Sequence, residues 1–426
     1  MSLSKAIEIP LFLYAFSLPL SMSATNISLA LILFTALIVF LIGKEKIFIP
    51  KSFFLILLFF TWACMTNWII QEEILFSSIK SFAKSWNFLP YLLIPLLSPF
   101  LSGREKKIIK ILIIVGCLVV LLGIFQYWGQ VHFFFEGWFE KGLLVRDKRF
   151  FGFQSYPLHT AGLYTILYLF SMSQTLFLTP ESSLDSGGPR KSLVFSFTTE
   201  QIFWWSASLI LLLGVLLTGS RSYYLSVILS SLILLSLKGK KFLLTGIILG
   251  SALFYSIMGL EPYVKERFQT ININHMDESG KQRIYMWKSA LQMIQDHPLV
   301  GVGYKNWGKN LTSYAKNFPE WKRMDPAAIG HAHNSYLTIA SETGLIGLAI
   351  FLFFWSLLLK EEVETINKLK KNQLGFALSL GSSSSIIAIL VAGFFEHNFL
   401  TATISLSLFF LIGITRSVRK AEKEIF

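Results

Sequence analysis

Long apolar runs alternate with short polar links along almost the whole chain. The runs occupy about residues 7–20, 27–42, 52–70, 89–101, 108–128, 158–178, 202–217, 222–237, 242–260, 335–359, 374–394 and 399–414. A transmembrane helix needs ~20 residues to cross ~30 Å of hydrocarbon, so the pattern predicts about twelve spans, several of which borrow flanking turns. The first run follows a lone Lys5 and ends in Ser21-Met22-Ser23-Ala24, as a cleavable leader would. The second run needs a hairpin partner, and the expectation is an uncleaved first span. The expected fold class is all-α: a polytopic transmembrane helical bundle of about twelve spans, with a partly helical outer loop between spans nine and ten. Residues 1–260 then hold spans one to nine, 261–334 form the loop, and 335–426 hold spans ten to twelve with a short tail.

Composition agrees with this reading. The chain is 53% hydrophobic and 15% charged, with a mean hydropathy of +0.58, outside the range of an ordinary soluble domain. A net charge of +13 would suggest nucleic acid in a soluble protein, but the Lys and Arg residues cluster in short links and no basic patch is interleaved with aromatics. Nucleic acid is therefore not an expected partner. Lys44/Lys46/Lys51, Arg104/Lys106/Lys107, Arg190/Lys191, Lys238/Lys240/Lys241, Lys360/Lys368/Lys370/Lys371 and Arg416/Arg419/Lys420 fall on one side if the spans alternate. The positive-inside rule makes that side, and both termini, cytoplasmic. Cys64 and Cys117 lie inside apolar runs, which excludes a disulfide framework.

The polar residues that remain gather on the outer face. Arg221 interrupts the apolar stretch 209–237 at Gly219-Ser220-Arg221-Ser222; it either snorkels from a hairpin tip or serves function, as ionisable residues at span edges often do. Arg149 and His159 flank Pro157, a residue suited to the first turn of a helix. Residues 281–294 carry apolar side chains at helical spacing, with Lys281, Arg283 and Lys288 among them, and read as an amphipathic helix on the membrane. Either these cations bind anionic lipid headgroups, or Arg283 joins Arg221 around a phosphate, for which a guanidinium fork is suited. His297-Pro298 stops that helix before Gly301-Val-Gly303, a turn where backbone passes close to another segment; it is too short for a dinucleotide fingerprint. The next run must start before Gly344 to be long enough, so Asn334 caps it and Glu342 lies near the headgroup boundary, with His331 and His333 just above. The His-x-His pair lacks recognisable third and fourth ligands, and a metal is not expected. A histidine acting as general base near neutral pH fits better.

His333-Asn334 followed by Gly344-Leu-Ile-Gly347, together with Gly219-Ser-Arg221-Ser, Arg283-Ile-Tyr-Met-Trp287, His297-Pro-Leu-Val-Gly301-Val-Gly303 and Arg149…Pro157…Gly162, resembles the O-antigen ligase and polymerase superfamily of multispan bacterial glycosyltransferases. The chain departs from the ligase pattern at Leu348, where that pattern has Thr. The resemblance implies an inner-membrane enzyme with a periplasmic site, which makes the 261–334 loop periplasmic. It implies transfer of a glycan from undecaprenyl diphosphate to an acceptor hydroxyl, which in a ligase belongs to the lipid A core oligosaccharide of lipopolysaccharide. Arg221, Arg283 and Arg149 would hold the diphosphate. His333 would accept the hydroxyl proton, oriented by His331 or Glu342. Asn334, Gly301, Gly303, Gly344 and Gly347 would be structural, and no cofactor is implied. Polymerase, protein O-oligosaccharyltransferase and lipid-linked glycan transporter stay open as alternatives, the transporter disfavoured because no internal repeat is visible.

Overall fold

A computed structural model describes residues 3–42, 49–71, 83–101, 103–129, 145–146, 149–178, 198–260, 278–316 and 329–425. Each of the twelve apolar runs coincides with a helix. They are α1 (Leu3–Ser17), α2 (Met22–Ile42), α3 (Lys51–Gln71), α4 (Leu89–Leu96, followed by the turn Ser98–Leu101), α5 (Glu105–Gly129), α6 (Pro157–Phe177), α7 (Thr199–Leu217), α8 (Arg221–Lys238) and α9 (Lys240–Leu260), then α12 (Ser335–Lys368), α13 (Gln373–Ala392) and α14 (Ala402–Ile425). Between α9 and α12 lie α10 (Glu278–Asp296) and α11 (Trp307–Ala315). Among the described residues, seven of these helices, α2, α3, α5, α7, α12, α13 and α14, are long and apolar enough to cross a membrane. The chain is thus an all-α, multi-pass membrane protein, while helix length and apolarity alone support fewer crossings than the twelve expected. One small exception is an antiparallel pair of two-residue strands, Val145–Arg146 with Arg149–Phe150. Lys44, Lys46, Arg190, Lys191 and the loop segments 261–277 and 317–328 lie outside the described residues.

Local chemistry sets the helix starts. Thr198 and Gln201 form a reciprocal capping box at α7, Pro157 opens α6 where its missing N–H is harmless, and Asn334 and Asn372 cap α12 and α13. Apolar packing then joins the helices through an aromatic seam in which Phe88, just before α4, Phe354 and Trp355 of α12, Phe399, just before α14, and Phe409 of α14 contact one another. Gly162 lets α6 pack tightly: a Cβ there would overlap Ile404 and come within 2.8 Å of the Tyr223 hydroxyl. Small residues at such crossings are how helices associate where lipid removes the hydrophobic drive.

The bundle has two unlike ends. α6, α8 and α12 all begin at one end, where the corner between α13 and α14 also lies. At the opposite end Lys51, Arg104, Lys106, Lys238 and Lys360 sit near the helix termini.

Candidate functional site

The candidate site is built on the start of α12. The Asn334 side chain accepts from the Leu337 amide at 2.9 Å and donates to the Phe394 carbonyl at 2.9 Å. The Ser335 amide donates to the Gly393 carbonyl at 2.8 Å, and its hydroxyl to the Glu396 carbonyl at 2.9 Å. These bonds fasten the 393–398 corner to the helix start and bring the Glu396 carboxylate to His333, with Nδ1 and Oε2 at 3.4 Å. His333 has φ of 48°, a left-handed conformation uncommon for a non-glycine residue and concentrated at functional sites. The Ala332 amide donates to the Thr338 hydroxyl at 3.1 Å and the His333 amide to His331 Nδ1 at 3.2 Å, so His331 carries its own proton on Nε2 in the neutral form.

Glu396 is the hub. Oε1 accepts from Arg283 Nη2 at 2.7 Å and from the Ser222 hydroxyl at 3.2 Å. Burial pushes this carboxyl up, but the Arg283 guanidinium and the His333 contact outweigh it and hold the group below its ordinary value. Ser222 is the second residue of α8, one step from Arg221. Arg149 donates from Nε to the Thr218 carbonyl at 2.8 Å, at the turn that leads into α8. Arg283 is thus the arginine bonded to the carboxylate, while Arg221 adjoins Ser222 in the chain and Arg149 is fastened to the turn before it, at an end where helix N-termini add positive charge. The imidazoles gather here too: His331 lies 4.5 Å from the His333 ring and stacks on His397 at 4.9 Å. Burial and then the neighbouring His397, His333, His159 and Arg283 push His331 down to about 2, so it is neutral across the physiological range.

The sequence-derived candidates divide in two. Arg149, Arg221, Arg283, His331, His333 and Asn334 come together at this end. Glu342 does not touch His333: it lies about 12 Å further along α12 at 1.5 Å per residue, and its Oε1 accepts from the Trp307 amide at 3.4 Å. Gly301, Gly303, Gly344 and Gly347 line that second locus. Sequence reasoning missed Glu396, Ser222 and His397. The available signal was the short polar link 396–398 between two apolar runs, too brief to single out one residue. Among the described residues, no three His, Cys, Asp or Glu side chains converge as metal ligands.

Chemically, the cluster offers guanidinium groups for an anion and an imidazole backed by a carboxylate for a proton. A bundle of this kind is that of a multi-pass membrane protein. The family model for O-antigen ligases matches residues 206–352, from α7 to the middle of α12. The exopolysaccharide production protein ExoQ of Rhizobium meliloti (strain 1021) is 35% identical over 74 residues, 17% of each chain. The ComP-specific O-oligosaccharyltransferase of Acinetobacter baylyi (strain ATCC 33305 / BD413 / ADP1) is 25% identical over 323 residues, 72% of this chain and 52% of the relative. The matches thus span about half of that relative and less of the other. Over residues 206–352 the chain is thus similar to the O-antigen ligase family, and it resembles these two relatives over the stretches given.

Proposed function

We propose that the protein is an O-antigen ligase, transferring a glycan from undecaprenyl diphosphate to a hydroxyl of the lipid A core oligosaccharide at the periplasmic face of the inner membrane. The observation that carries the reading is Glu396, held between Arg283 and His333, with its Oε1 also bonded to Ser222, the residue after Arg221, and with Arg149 tied to the turn before α8. The acceptor hydroxyl attacks the anomeric carbon and His333 takes its proton. Glu396 orients the imidazole, the part first expected of His331 or Glu342. The bond from the anomeric carbon to the phosphate oxygen breaks, and the diphosphate leaves with negative charge. Arg221, Arg283 and Arg149 are placed to stabilise it, each such donor being worth about 2.7–4 kcal/mol by analogy with oxyanion sites. A guanidinium has five N–H donors, so Arg283 can serve Glu396 and a phosphoryl oxygen together. The arrangement needs no metal for its positive charge. The basic helix ends face the cytoplasm, in keeping with the positive-inside rule, and all twelve apolar helices contribute to the bundle within the membrane.

A second acceptor is favoured by the 323-residue likeness to the ComP-specific O-oligosaccharyltransferase, namely a protein hydroxyl, since the site constrains the donor more than the acceptor. Deleting the gene and resolving the host's lipopolysaccharide on a gel separates the possibilities. Core without O-chains, restored by wild type but not by His333→Ala, Arg221→Ala or Arg283→Ala at equal membrane levels, supports the ligase. Core carrying a single repeat points to a polymerase, and intact lipopolysaccharide with a lost glycoprotein points to a protein acceptor. Full rescue by all three variants defeats the site.

A further inference from the structure

The second locus, around Glu342, has no part in the chemistry above, yet it joins two of the glycine motifs. α12 is broken at Gly344, with φ of 68° and ψ of −179°, which frees backbone groups that a continuous helix would pair internally. The turn after α10 satisfies them from outside. The Leu345 amide donates to the Pro298 carbonyl at 2.8 Å, and the Val302 amide to the Ser341 carbonyl at 2.8 Å. The Trp62 indole of α3 donates to the Thr343 carbonyl at 2.8 Å. Neither close approach tolerates a side chain: a Cβ on Gly344 would overlap the Leu299 carbonyl, and one on Gly301 would lie 2.5 Å from the Glu342 backbone. Glu342 completes the junction by accepting from the first amide of α11.

This turn continues α10 directly, with the His297 amide bonded to the Met293 carbonyl and the Gly301 amide to the His297 carbonyl. Met286, Ala290 and Met293 of α10 share one buried apolar cluster with Val302, Trp307 and Leu311. The junction therefore determines where α10 lies, and Arg283 stands on α10 about 21 Å from it at 1.5 Å per residue. A small tilt at the junction becomes an ångström-scale shift at the guanidinium, enough to break a 2.7 Å bond to Glu396.

We infer that Glu342 and the Gly301–Gly344 junction are a positioning device that holds Arg283 in register with Glu396, and that Glu342 takes no part in proton transfer. This rests on the reading in which Arg283 binds the donor diphosphate. The test uses the purified full chain in detergent, with inorganic pyrophosphate as the probe of the anion site and transfer kinetics as the second readout. Glu342→Gln keeps an acceptor oxygen and is expected to bind pyrophosphate within about twofold of wild type, whereas Glu342→Leu loses it and weakens binding about tenfold, the effect of one hydrogen bond to a charged group. The donor KM follows the same order, and the pH profile of kcat is unchanged in Glu342→Gln. Trp62→Phe removes only the indole bond to Thr343 and gives a smaller loss of about threefold; it decides the matter if Glu342→Leu does not fold. Wild-type pyrophosphate affinity in both Glu342→Leu and Trp62→Phe, or a shifted pH profile in Glu342→Gln, overturns the positioning role. Arg283→Ala serves as the control: if it too binds pyrophosphate normally, the diphosphate reading has failed and the inference with it. Weakened Arg283→Ala beside unaffected junction variants overturns the inference alone.

Discussion

Two buried arginine–carboxylate clusters stand at opposite ends of α12, and their stoichiometries are inverted. At the start of the helix one carboxylate, Glu396, is shared by Arg283 and His333, whose side chains keep 18% and 28% exposure around a nearly buried anion. At the other end one guanidinium, Arg416, is shared by Glu361 at 3.0 Å and Glu362 at 3.1 Å, and it lies 4.9 Å over the Tyr91 ring. Glu361 there also accepts from the hydroxyls of Ser52 and Tyr91 at 2.6 and 2.8 Å. The second cluster turns its cation inward among anions and closes over it, knitting α3, α4, α12 and α14 together. The first sets its anion between two partly exposed basic side chains and stays partly open, as the proposed diphosphate site requires. Buried ion pairs are thus no guide to function until one asks which sign is in excess and whether a donor still faces outward.

Substitutions that break the contrast should separate stability from activity. Arg416→Ala leaves Glu361 and Glu362 buried without their shared cation, and a loss of about 3–5 kcal/mol is expected; thermal unfolding in detergent should fall sharply while the fraction still folded binds pyrophosphate normally. Arg283→Ala should do the reverse, lowering glycan transfer by about 2.7–4 kcal/mol of barrier with a far smaller change in melting. Equal effects of the two variants on melting would erase the distinction between the clusters. Glu396→Gln keeps the shape but not the charge, and a transfer loss of about 1.5–3 kcal/mol is expected from weakened bonds to Arg283 and His333, read as a lower kcat at saturating donor.

The smallest effect lies in pH. His331 is held at about 2 against an ordinary 6.5, so on acidification the unfolded chain takes up that proton first and stability declines as pH drops below about 6.5. Glu396, held below an ordinary 4.5, contributes stability present above that value and lost as pH falls through its lower folded one, a change of the same sign. Melting temperature should therefore decrease from pH 7 toward pH 4.5, and His331→Phe should flatten the upper part of that slope. An unchanged slope in this variant would show that His331 is not held neutral by the cluster.

Much of this molecule could be read along the chain. The run 108–128 became α5 and the run 374–394 became α13, each within a few residues, because a helix in lipid must satisfy its backbone internally and apolar length is then nearly sufficient information. The run 399–414 was less faithful: α14 begins only at Ala402, since the Asn398 amide and side chain are engaged by Ser335 and the Ile389 carbonyl. The arginines and histidines of the site were visible because each interrupts or ends an apolar run, where an ionisable group stands out. Glu342 was visible for the same reason and was given the wrong neighbours, since spacing on one helix says nothing about what packs against each turn.

Apolar length and the positions of polar interruptions follow from local composition, so the linear sequence carried the helices, the basic end and five basic or imidazole side chains gathered at the other end, Arg149, Arg221, Arg283, His331 and His333, without reference to the fold. Pairing is another matter. Glu396 meets His333 across 63 positions and Arg283 across 113, and the Trp62 indole meets Thr343 across 281. Contacts of that separation are set by which helices lie side by side, and they arise only after the bundle has closed, when the sole remaining partner for a buried charge or a freed backbone amide is whatever the packing has brought within reach.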